Sequence, residues 1–284
     1  MDSLVSTEWL AAHLNEPHLR LVDVRWYLLD KDKHGEQEYL RGHIPGAIFL
    51  DIDRDLASPL GSGPGRHPLP TPEKFSETMS RAGIGANTRV VAYDDRGGVS
   101  AGRLWWLLRY FGHENVALLD GGIAQWMAEG RALTTEIPQV ARAEFTAQPH
   151  PAWVVNKQDI LKLQNNSRTL IFDVRAPERY QGKLEPIDPR AGHVPGAVNA
   201  PVAGNLRAVN DTRFLSPDEL RTRFAAFGAD DAERIAAYCG SGINACQAIF
   251  ALQHAGYENV LLYAGSWSDW SHDPNLPAAV GEQP

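Results

Sequence analysis

A chain of 284 residues exceeds the usual size of one domain, so we expect two domains, each with its own core. The formal net charge of −8 argues against a surface for nucleic acid or anionic membranes, and no apolar run approaches the roughly 18–20 residues of a membrane-spanning helix. We therefore expect neither nucleic acid nor a membrane as a partner. The stretch from Met1 to Ser6 lacks the basic and apolar regions of a secretory signal, which predicts a cytoplasmic location.

The chain has two cysteines, Cys239 and Cys246, which are seven residues apart. This number and spacing suit neither a disulfide framework nor a zinc site with four ligands. Free thiols are typical of a reducing compartment. We expect no metal and no cofactor.

The two halves of the chain resemble each other. Leu-Val-Asp-Val-Arg at residues 21–25 recurs as Ile-Phe-Asp-Val-Arg at 171–175, and Gly-His-Ile-Pro-Gly-Ala at 42–47 recurs as Gly-His-Val-Pro-Gly-Ala at 192–197. The first pair of segments is typical of buried strands that end in charge, and the Pro-Gly of the second pair favours a type II turn. Such a repeat predicts two domains of the same fold.

Strand-like and helix-like segments alternate in both halves. The apolar segment 90–93 matches 235–238, and helical patterns cover residues 7–14, 72–82 after a Thr71 cap, 101–111, 156–163, 217–227 after Ser216, and 245–255. This alternation predicts an α/β fold with two tandem domains, each a mostly parallel sheet flanked by helices.

A change in pattern marks the boundary between the halves. The region carries Pro138, Pro149 and Pro151 without a sustained hydrophobic period, which is typical of a linker. We place an N-terminal domain at residues 1–136, a linker at 137–155 and a C-terminal domain at 156–284.

Cys239 stands between a strand-like run and a helical pattern, followed by Gly-Ser-Gly-Ile-Asn at 240–244. The two glycines let the backbone curl so that several N–H groups and a helix N-terminus face one sulfur, an arrangement that stabilises a thiolate. Cys239 is therefore the candidate nucleophile. The alternative is a buried core cysteine beside a simple turn.

The repeat offers an internal comparison for this position. The first half has Asp94 where the second has Cys239, in a loop that is one residue longer. A purely structural position would more often carry similar residues in both copies. The difference favours a catalytic thiol in the second domain and a non-catalytic first domain.

Together these motifs resemble the tandem-domain sulfurtransferases, the rhodanese and 3-mercaptopyruvate sulfurtransferase family. The resemblance covers nearly the whole chain and rests on the Asp-Val-Arg strands, the Pro-Gly turns, residues 26–28 and 49–53, the Cys239 loop, and Gly265-Ser266-Trp267 with Trp270. It implies two rhodanese-like domains. It also implies transfer of a sulfane sulfur from a small-molecule donor, through a persulfide on Cys239, to an acceptor thiol such as thioredoxin or to cyanide.

The composition of the loop implies the donor. Thiosulfate-type members resemble Cys-Arg-Lys-Gly-Val-Thr and 3-mercaptopyruvate-type members resemble Cys-Gly-Ser-Gly-Val-Thr, whereas this chain has Cys-Gly-Ser-Gly-Ile-Asn. The second type fits best, with Gly240, Gly242, Ile243 and Asn244 as substrate-binding positions and pyruvate as the product. Because the loop has no cation for the dianion thiosulfate, we expect mercaptopyruvate to be preferred by at least about tenfold, with thiosulfate as the alternative donor.

The resemblance also implies two arginines for the donor carboxylate. These are Arg179 and Arg190, since a guanidinium binds a carboxylate through two parallel hydrogen bonds. The alternative for each is an ion pair with a neighbour such as Glu178 or Asp188.

A proton relay is implied in the same way. Asp53 and His67 match an acidic residue and a histidine of the family, and with Ser241 they would move a proton as the substrate sulfur leaves. The alternative for His67, which lies in a loop rich in Gly and Pro, is an ordinary solvated histidine.

Three more residues are assigned to the fold. His43 and His193 are expected to fix the Pro-Gly turns, and Cys246 to pack within its helix. Asn244 departs from the threonine of the family, and we expect its amide to cap the helix that follows.

Two other protein classes share parts of the pattern. Phosphatases with Cys-x5-Arg have a similar cysteine loop, but the sixth residue after Cys239 is Ala245, so phosphatase activity is not expected. A non-catalytic rhodanese-like binding module is favoured where the nucleophile is missing, as in the first half. Cys239 argues against that class for the whole chain.

Overall fold

The computed structural model describes residues 1–30 and 32–284 and divides them into two compact units. The first comprises Met1–Ser58, Pro70–His150 and Leu206–Phe214. The second comprises Pro59–Leu69, Pro151–Asn205 and Leu215–Pro284. Each unit therefore includes a short segment from the opposite half of the repeat, which a division of the chain at one linker does not anticipate.

The first unit is built on a five-stranded parallel sheet. The apolar runs of its central strands are buried because helices cover both faces of such a sheet. Its strands, in spatial order, are β1 (Leu4–Val5), β5 (Val116–Leu119), β4 (Arg89–Tyr93), β2 (Leu19–Asp23) and β3 (Ile48–Phe49).

The second unit repeats this sheet with the same order and direction of strands. Tyr238 lies opposite Asp173, so the two central strands end together and the residues that follow them meet at one edge. The strands, in spatial order, are β6 (Val154–Val155), β12 (Val260–Tyr263), β11 (Arg234–Tyr238), β7 (Thr169–Asp173) and β8 (Val198–Asn199).

The predicted helices are confirmed to within two residues at each end, with Thr71 and Ser216 as N-caps. They are α1 (Thr7–His13), α3 (Pro72–Arg81), α4 (Ala101–Tyr110), α6 (Lys157–Leu163), α8 (Pro217–Ala225) and α9 (Asn244–His254). Shorter helices, in which few turns reveal a period, were not predicted: α2 (Gly35–Arg41), α5 (Gly122–Ala128), α7 (Pro177–Tyr180) and α10 (Ser266–Trp270). Within the described chain, none of these helices combines the length and apolar character needed to cross a bilayer.

The Asp-Val-Arg motif makes the same contacts in both units. Arg25 holds the carboxylate of Asp23 through Nε and Nη2, and Nη2 also donates to the carbonyl of Gly42 at 2.8 Å. Arg175 repeats these bonds with Asp173 and with the carbonyl of the equivalent turn. The motif thus joins the end of a central strand to the Pro-Gly turn.

The turn histidines have the structural role that was predicted. Nδ1 of His43 lies 2.8 Å from the carbonyl oxygen of Tyr39, and the two rings stack. His193 repeats both contacts with Tyr180. Each histidine therefore ties its turn to the helix before it.

The segment predicted as a linker, 137–155, has two different parts. Residues 135–150 contain no helix or strand and pack on the first unit, where Phe145 is buried and the N–H of Gln148 donates to the carbonyl of Phe111. Val154–Val155 instead form the edge strand β6. The sheet of the second unit therefore begins inside the predicted linker.

A hairpin from the second half of the chain completes the first unit. It consists of β9 (Leu206–Ala208) and β10 (Asp211–Phe214), which pair antiparallel. The N–H of Phe214 donates to the carboxylate of Asp120 at 2.8 Å, and the hydroxyl of Thr212 donates to the carbonyl of Gly121. The hairpin was not predicted, because its anchors lie more than ninety residues away in sequence.

Candidate active site

Cys239 follows β11 directly and lies in a loop that closes tightly before α9. Gly242 has a φ of +82°, and a Cβ there would lie 2.6 Å from the carbonyl oxygen of Ala264, so only glycine fits. The N–H of Gly242 donates to Sγ of Cys239 at 3.1 Å. The fold thus directs a backbone donor at the sulfur, which stabilises a thiolate.

The loop is supported from below by the start of α10. The hydroxyl of Ser266 accepts a hydrogen bond from the N–H of Cys239, while the N–H groups of Trp267 and Ser268 donate to the carbonyls of Cys239 and Gly240. Ser266 has a φ of +55°, the one non-glycine residue with a positive φ among residues 1–30 and 32–284. Strained backbone of this kind persists only where its surroundings hold it, and here it supports the cysteine loop.

The corresponding loop of the first unit holds a fixed anion. The carboxylate of Asp94 takes the place of the thiol and is almost completely buried. It accepts hydrogen bonds of 2.8–3.0 Å from the backbone N–H groups of Arg96, Gly98, Ser100 and Ala101. A loop at this position of the fold is therefore built to bind a negative charge.

His67 and Ser241 are brought together within the second unit. Nδ1 of His67 lies 2.7 Å from Oγ of Ser241, and both residues are buried. His67 reaches this position because Pro59–Leu69 belongs to the second unit. A solvated histidine, the alternative considered from the sequence, does not fit its 3 % exposure.

Arg179 lies beside the loop and takes part in a chain of buried ion pairs. It pairs with Glu185 at 2.7 Å and with Asp188 at 3.0 Å. Glu185 also pairs with Arg175, and Asp188 also pairs with Arg66 at 2.8 Å. Together with the Asp173–Arg175 pair, three arginines alternate with three carboxylates from the end of β7 to Arg66.

Arg66 was missed in the sequence, although it adjoins the predicted His67. Its backbone N–H donates to the hydroxyl of Ser268 at 3.0 Å, so α10 positions it. A Cβ on Gly240 would lie 3.2 Å from Nη1 of Arg179 and 3.4 Å from Nη2 of Arg66. The residues of the loop itself are neutral, but guanidinium groups from two other segments border it, and of these two only Arg179 was predicted from the sequence.

Three comparisons with known proteins agree with this geometry. The family described as "Rhodanese-like domain" matches residues 6–129 and 156–273. A relative from Pseudomonas aeruginosa, named a probable 3-mercaptopyruvate sulfurtransferase, is 41% identical over 98% of both chains. A relative from Mycobacterium tuberculosis, named a putative thiosulfate sulfurtransferase, is 36% identical over 92% of this chain and 90% of its own. The crystal structure of a 3-mercaptopyruvate sulfotransferase from Escherichia coli has a TM-score of 0.83 and 34% identity, covering 94% of this chain and 100% of that one.

The chain belongs to the tandem-domain rhodanese and 3-mercaptopyruvate sulfurtransferase family. Membership confirms the predicted α/β fold with two rhodanese-like domains. It also confirms the predicted enzyme class, sulfurtransferase.

Two residues carried over from the family have contacts that the sequence does not reveal. Arg190 donates from Nη1 to the carbonyl of Leu276 at 2.7 Å and from Nη2 to the carbonyls of Trp270 and Asp273. These bonds tie it to the segment after α10. Asp53 belongs to the first unit, where its carboxylate accepts a hydrogen bond of 2.9 Å from the indole of Trp26.

The last two loop residues and Cys246 begin α9. Ile243 is buried at the N-cap position, and no side chain caps this helix, so the expectation that the Asn244 amide caps it is wrong. Asn244 instead forms the first helical residue. Cys246 is buried and donates from Sγ to the carbonyl of Gly242, which confirms its packing role.

Replacing Asp94 should destabilise the protein through the first unit. Asp94→Ala leaves four backbone N–H groups without an acceptor, at about 1–3 kcal/mol each when buried, so we expect the free energy of unfolding to fall by at least about 3 kcal/mol. Asp94→Asn, which keeps an acceptor oxygen, should lose less. Urea denaturation measures both, with Asp2→Asn at an exposed position as the control. A decrease in the free energy of unfolding of less than about 1 kcal/mol for Asp94→Ala would contradict the interpretation that this loop binds a negative charge.

Proposed function

We propose that the protein transfers the sulfur of 3-mercaptopyruvate, through a persulfide on Cys239, to a thiol such as thioredoxin or to cyanide. The observation that carries the proposal is the N–H of Gly242, which points at Sγ of Cys239 from a loop at the carboxyl edge of the sheet. The name of the Pseudomonas aeruginosa relative, which is 41% identical, supports the same donor.

The proposed chemistry follows from a stabilised thiolate. The thiolate of Cys239 attacks the substrate sulfur, the carbon–sulfur bond breaks, and its electron pair moves onto carbon to form the enolate of pyruvate. Protonation of the enolate carbon releases pyruvate. An acceptor thiolate or cyanide then attacks the outer sulfur of the persulfide and takes it, and the thiolate of Cys239 is restored.

The Ser241–His67 pair is suited to supplying the proton. The hydroxyl lies one residue beyond Gly240 in the loop, and its 2.7 Å contact with the ring nitrogen lets the imidazole replace the proton that the hydroxyl gives up. We assign Asp53 to the same relay on the basis of the family resemblance.

Arg179 is the first candidate for binding the donor carboxylate. Nη1 of this residue is the nearest atom to a Cβ placed on Gly240, the residue after the nucleophile. Arg190 remains the second candidate from the resemblance. Its bonds to three backbone carbonyls favour a structural contribution to the same site.

The two halves of the chain have different proposed roles. Residues 156–284 carry the nucleophile, whereas residues 1–136 have Asp94 at the equivalent position and are proposed to be non-catalytic. The loop positions Gly240, Gly242, Ile243 and Asn244 are proposed to shape the donor site. A cytoplasmic location, with its reducing conditions, suits the two free cysteines.

Thiosulfate is the second candidate donor, and a specific observation favours it. The guanidinium groups of Arg66 and Arg179 border Gly240 and supply the cations that the loop residues lack. The net charge of the ion-pair network argues against thiosulfate, because its three arginines are balanced by three carboxylates. A site with no net charge receives a monoanion at a lower electrostatic cost than a dianion.

The position of the persulfide is the first test of the proposal. Incubation with mercaptopyruvate should add one sulfur atom to the peptide that contains Cys239, as read by mass spectrometry. Cys239→Ser should reduce pyruvate release to the background rate, because it removes the nucleophile. Cys246→Ser is the matched control and should stay active, since a serine hydroxyl can also donate to the carbonyl of Gly242, as the Cys246 thiol does. Sulfur found only at Cys246, or full activity in Cys239→Ser, would exclude the assignment.

The choice of donor is the second test. We expect kcat/KM for mercaptopyruvate to exceed that for thiosulfate by at least about tenfold. The second negative charge of thiosulfate has no cation of the loop itself to bind, and one charged hydrogen bond is worth roughly 1.5–3 kcal/mol. Steady-state kinetics with cyanide as the common acceptor measures both values. Equal constants would favour thiosulfate as the physiological donor.

The two arginines should respond differently to substitution. Arg179→Lys keeps the charge but loses the planar fork, so we expect kcat/KM for mercaptopyruvate to fall roughly tenfold or more with little loss of stability. Arg190→Lys should mainly lower the melting temperature, because three carbonyls lose donors. A stable Arg190→Lys variant with the larger loss of kcat/KM would reverse the assignment.

A further inference from the structure

Arg66 is held against the cysteine loop by contacts that leave part of its guanidinium unused. Gly65 has a φ of +74°, and a Cβ on this residue would lie 2.4 Å from the carbonyl oxygen of Gly265. Only glycine therefore allows the backbone before Arg66 to pass so close to Gly265. The hydroxyl of Ser268 accepts from the N–H of Arg66, and Nη1 pairs with Asp188. Both ends of the side chain are therefore fixed.

The Nε and Nη2 groups of Arg66 are buried and have no hydrogen-bond partner. This is the same edge of the guanidinium with which Arg25 and Arg175 hold the carboxylates of Asp23 and Asp173. A buried donor without an acceptor is destabilising, so a pair of them beside the cysteine loop indicates a ligand that accepts their hydrogen bonds. A group with two oxygens, such as a carboxylate, matches this edge.

Gly240 leaves a notch between Arg66 and Arg179. An atom at the Cβ position of an alanine there would lie 3.4 Å from Nη2 of Arg66 and 3.2 Å from Nη1 of Arg179. A ligand oxygen close to that point is within hydrogen-bond reach of both groups. Asp188 holds the two guanidiniums in register, because one carboxylate oxygen pairs with each.

We propose that Arg66 is a donor-binding residue, which with Arg179 receives an oxygen of the donor's anionic group in the notch at Gly240. The inference rests on the proposed function and extends it by a residue from the first half of the chain. In this proposal the role of Gly240 is steric, because a glycine has no side chain and so leaves space for the ligand oxygen. The nucleophile is the preceding residue, so the anion and the attacked sulfur are held side by side.

Two variants test the proposal by independent means. Arg66→Met removes the donors but keeps the length of the side chain, and Gly240→Ala fills the notch while leaving every charge in place. Gly240 does not have a positive φ, and its neighbours in the notch are the ends of flexible side chains, so alanine is compatible with the fold. For both variants we expect kcat/KM for mercaptopyruvate to fall roughly tenfold to a hundredfold, mainly through KM.

Two measurements separate binding from structure. Discharge of the preformed persulfide to cyanide should stay within about twofold of wild type, because that step no longer involves the donor. Calorimetric binding of pyruvate to Cys239→Ser should weaken by a similar factor when Arg66→Met is added. Arg168→Met, at an exposed arginine, is the control and should leave all values unchanged.

The outcomes distinguish the two proposals. A wild-type protein that releases no pyruvate from mercaptopyruvate refutes the proposed function. A normally active wild type with Arg66→Met and Gly240→Ala unchanged in KM refutes the role of Arg66 alone. Equal losses in donor use, persulfide discharge and melting temperature would show a structural role and would also overturn the inference.

Discussion

A buried aspartate–arginine pair at the end of a central strand is the contact on which each unit depends. In the second unit, burial by itself would lower the pKa of Arg175, but the charge of Asp173 and its hydrogen bonds, with Glu185, raise that pKa above its ordinary value. The guanidinium therefore stays charged, bonds to the turn carbonyl of Gly192 and lies over the ring of Trp267. Loss of one partner from a buried pair of this kind is strongly destabilising, by about 3–5 kcal/mol.

In the second unit this pair is one end of a longer network of ion pairs. Glu185 binds Arg175 on one side and Arg179 on the other, and Asp188 continues the alternation to Arg66. Glu185 and Asp188 are each shared by two arginines, which fixes the orientation of these arginines and leaves few of their donors unpaired. The guanidinium edge left over at the end of the chain faces the cysteine loop, where a ligand can satisfy it.

The loops after β4 and β11 show how one backbone design serves two purposes. Both curl so that backbone N–H groups point at the first residue after the strand. In the first unit the carboxyl oxygens of Asp94 accept hydrogen bonds from four of these N–H groups. In the second unit Sγ of Cys239, the proposed nucleophile, accepts a hydrogen bond from the N–H of Gly242. The proposed difference in role between the two loops thus depends on the side chain at one position.

The amino-acid sequence by itself determined the features that depend on near neighbours in the chain. Hydrophobic periods, caps such as Thr71 and Ser216, and the repeated motifs predicted the sheets, the longer helices and the cysteine loop, because each of these is set within about ten residues. The family resemblance also placed His67 and Ser241 in one proton relay, and in the structure Nδ1 of His67 lies 2.7 Å from Oγ of Ser241.

Only the tertiary structure decided which distant side chains surround that loop. Arg66 meets Asp188 across 122 positions of sequence, Arg190 is bonded to the segment after α10, and the hairpin at 206–214 belongs to the first unit. No local sequence pattern predicts these long-range contacts. Periodicity records which residues are buried, whereas the partners of a charge at a strand end depend on which remote segments the fold brings to that edge.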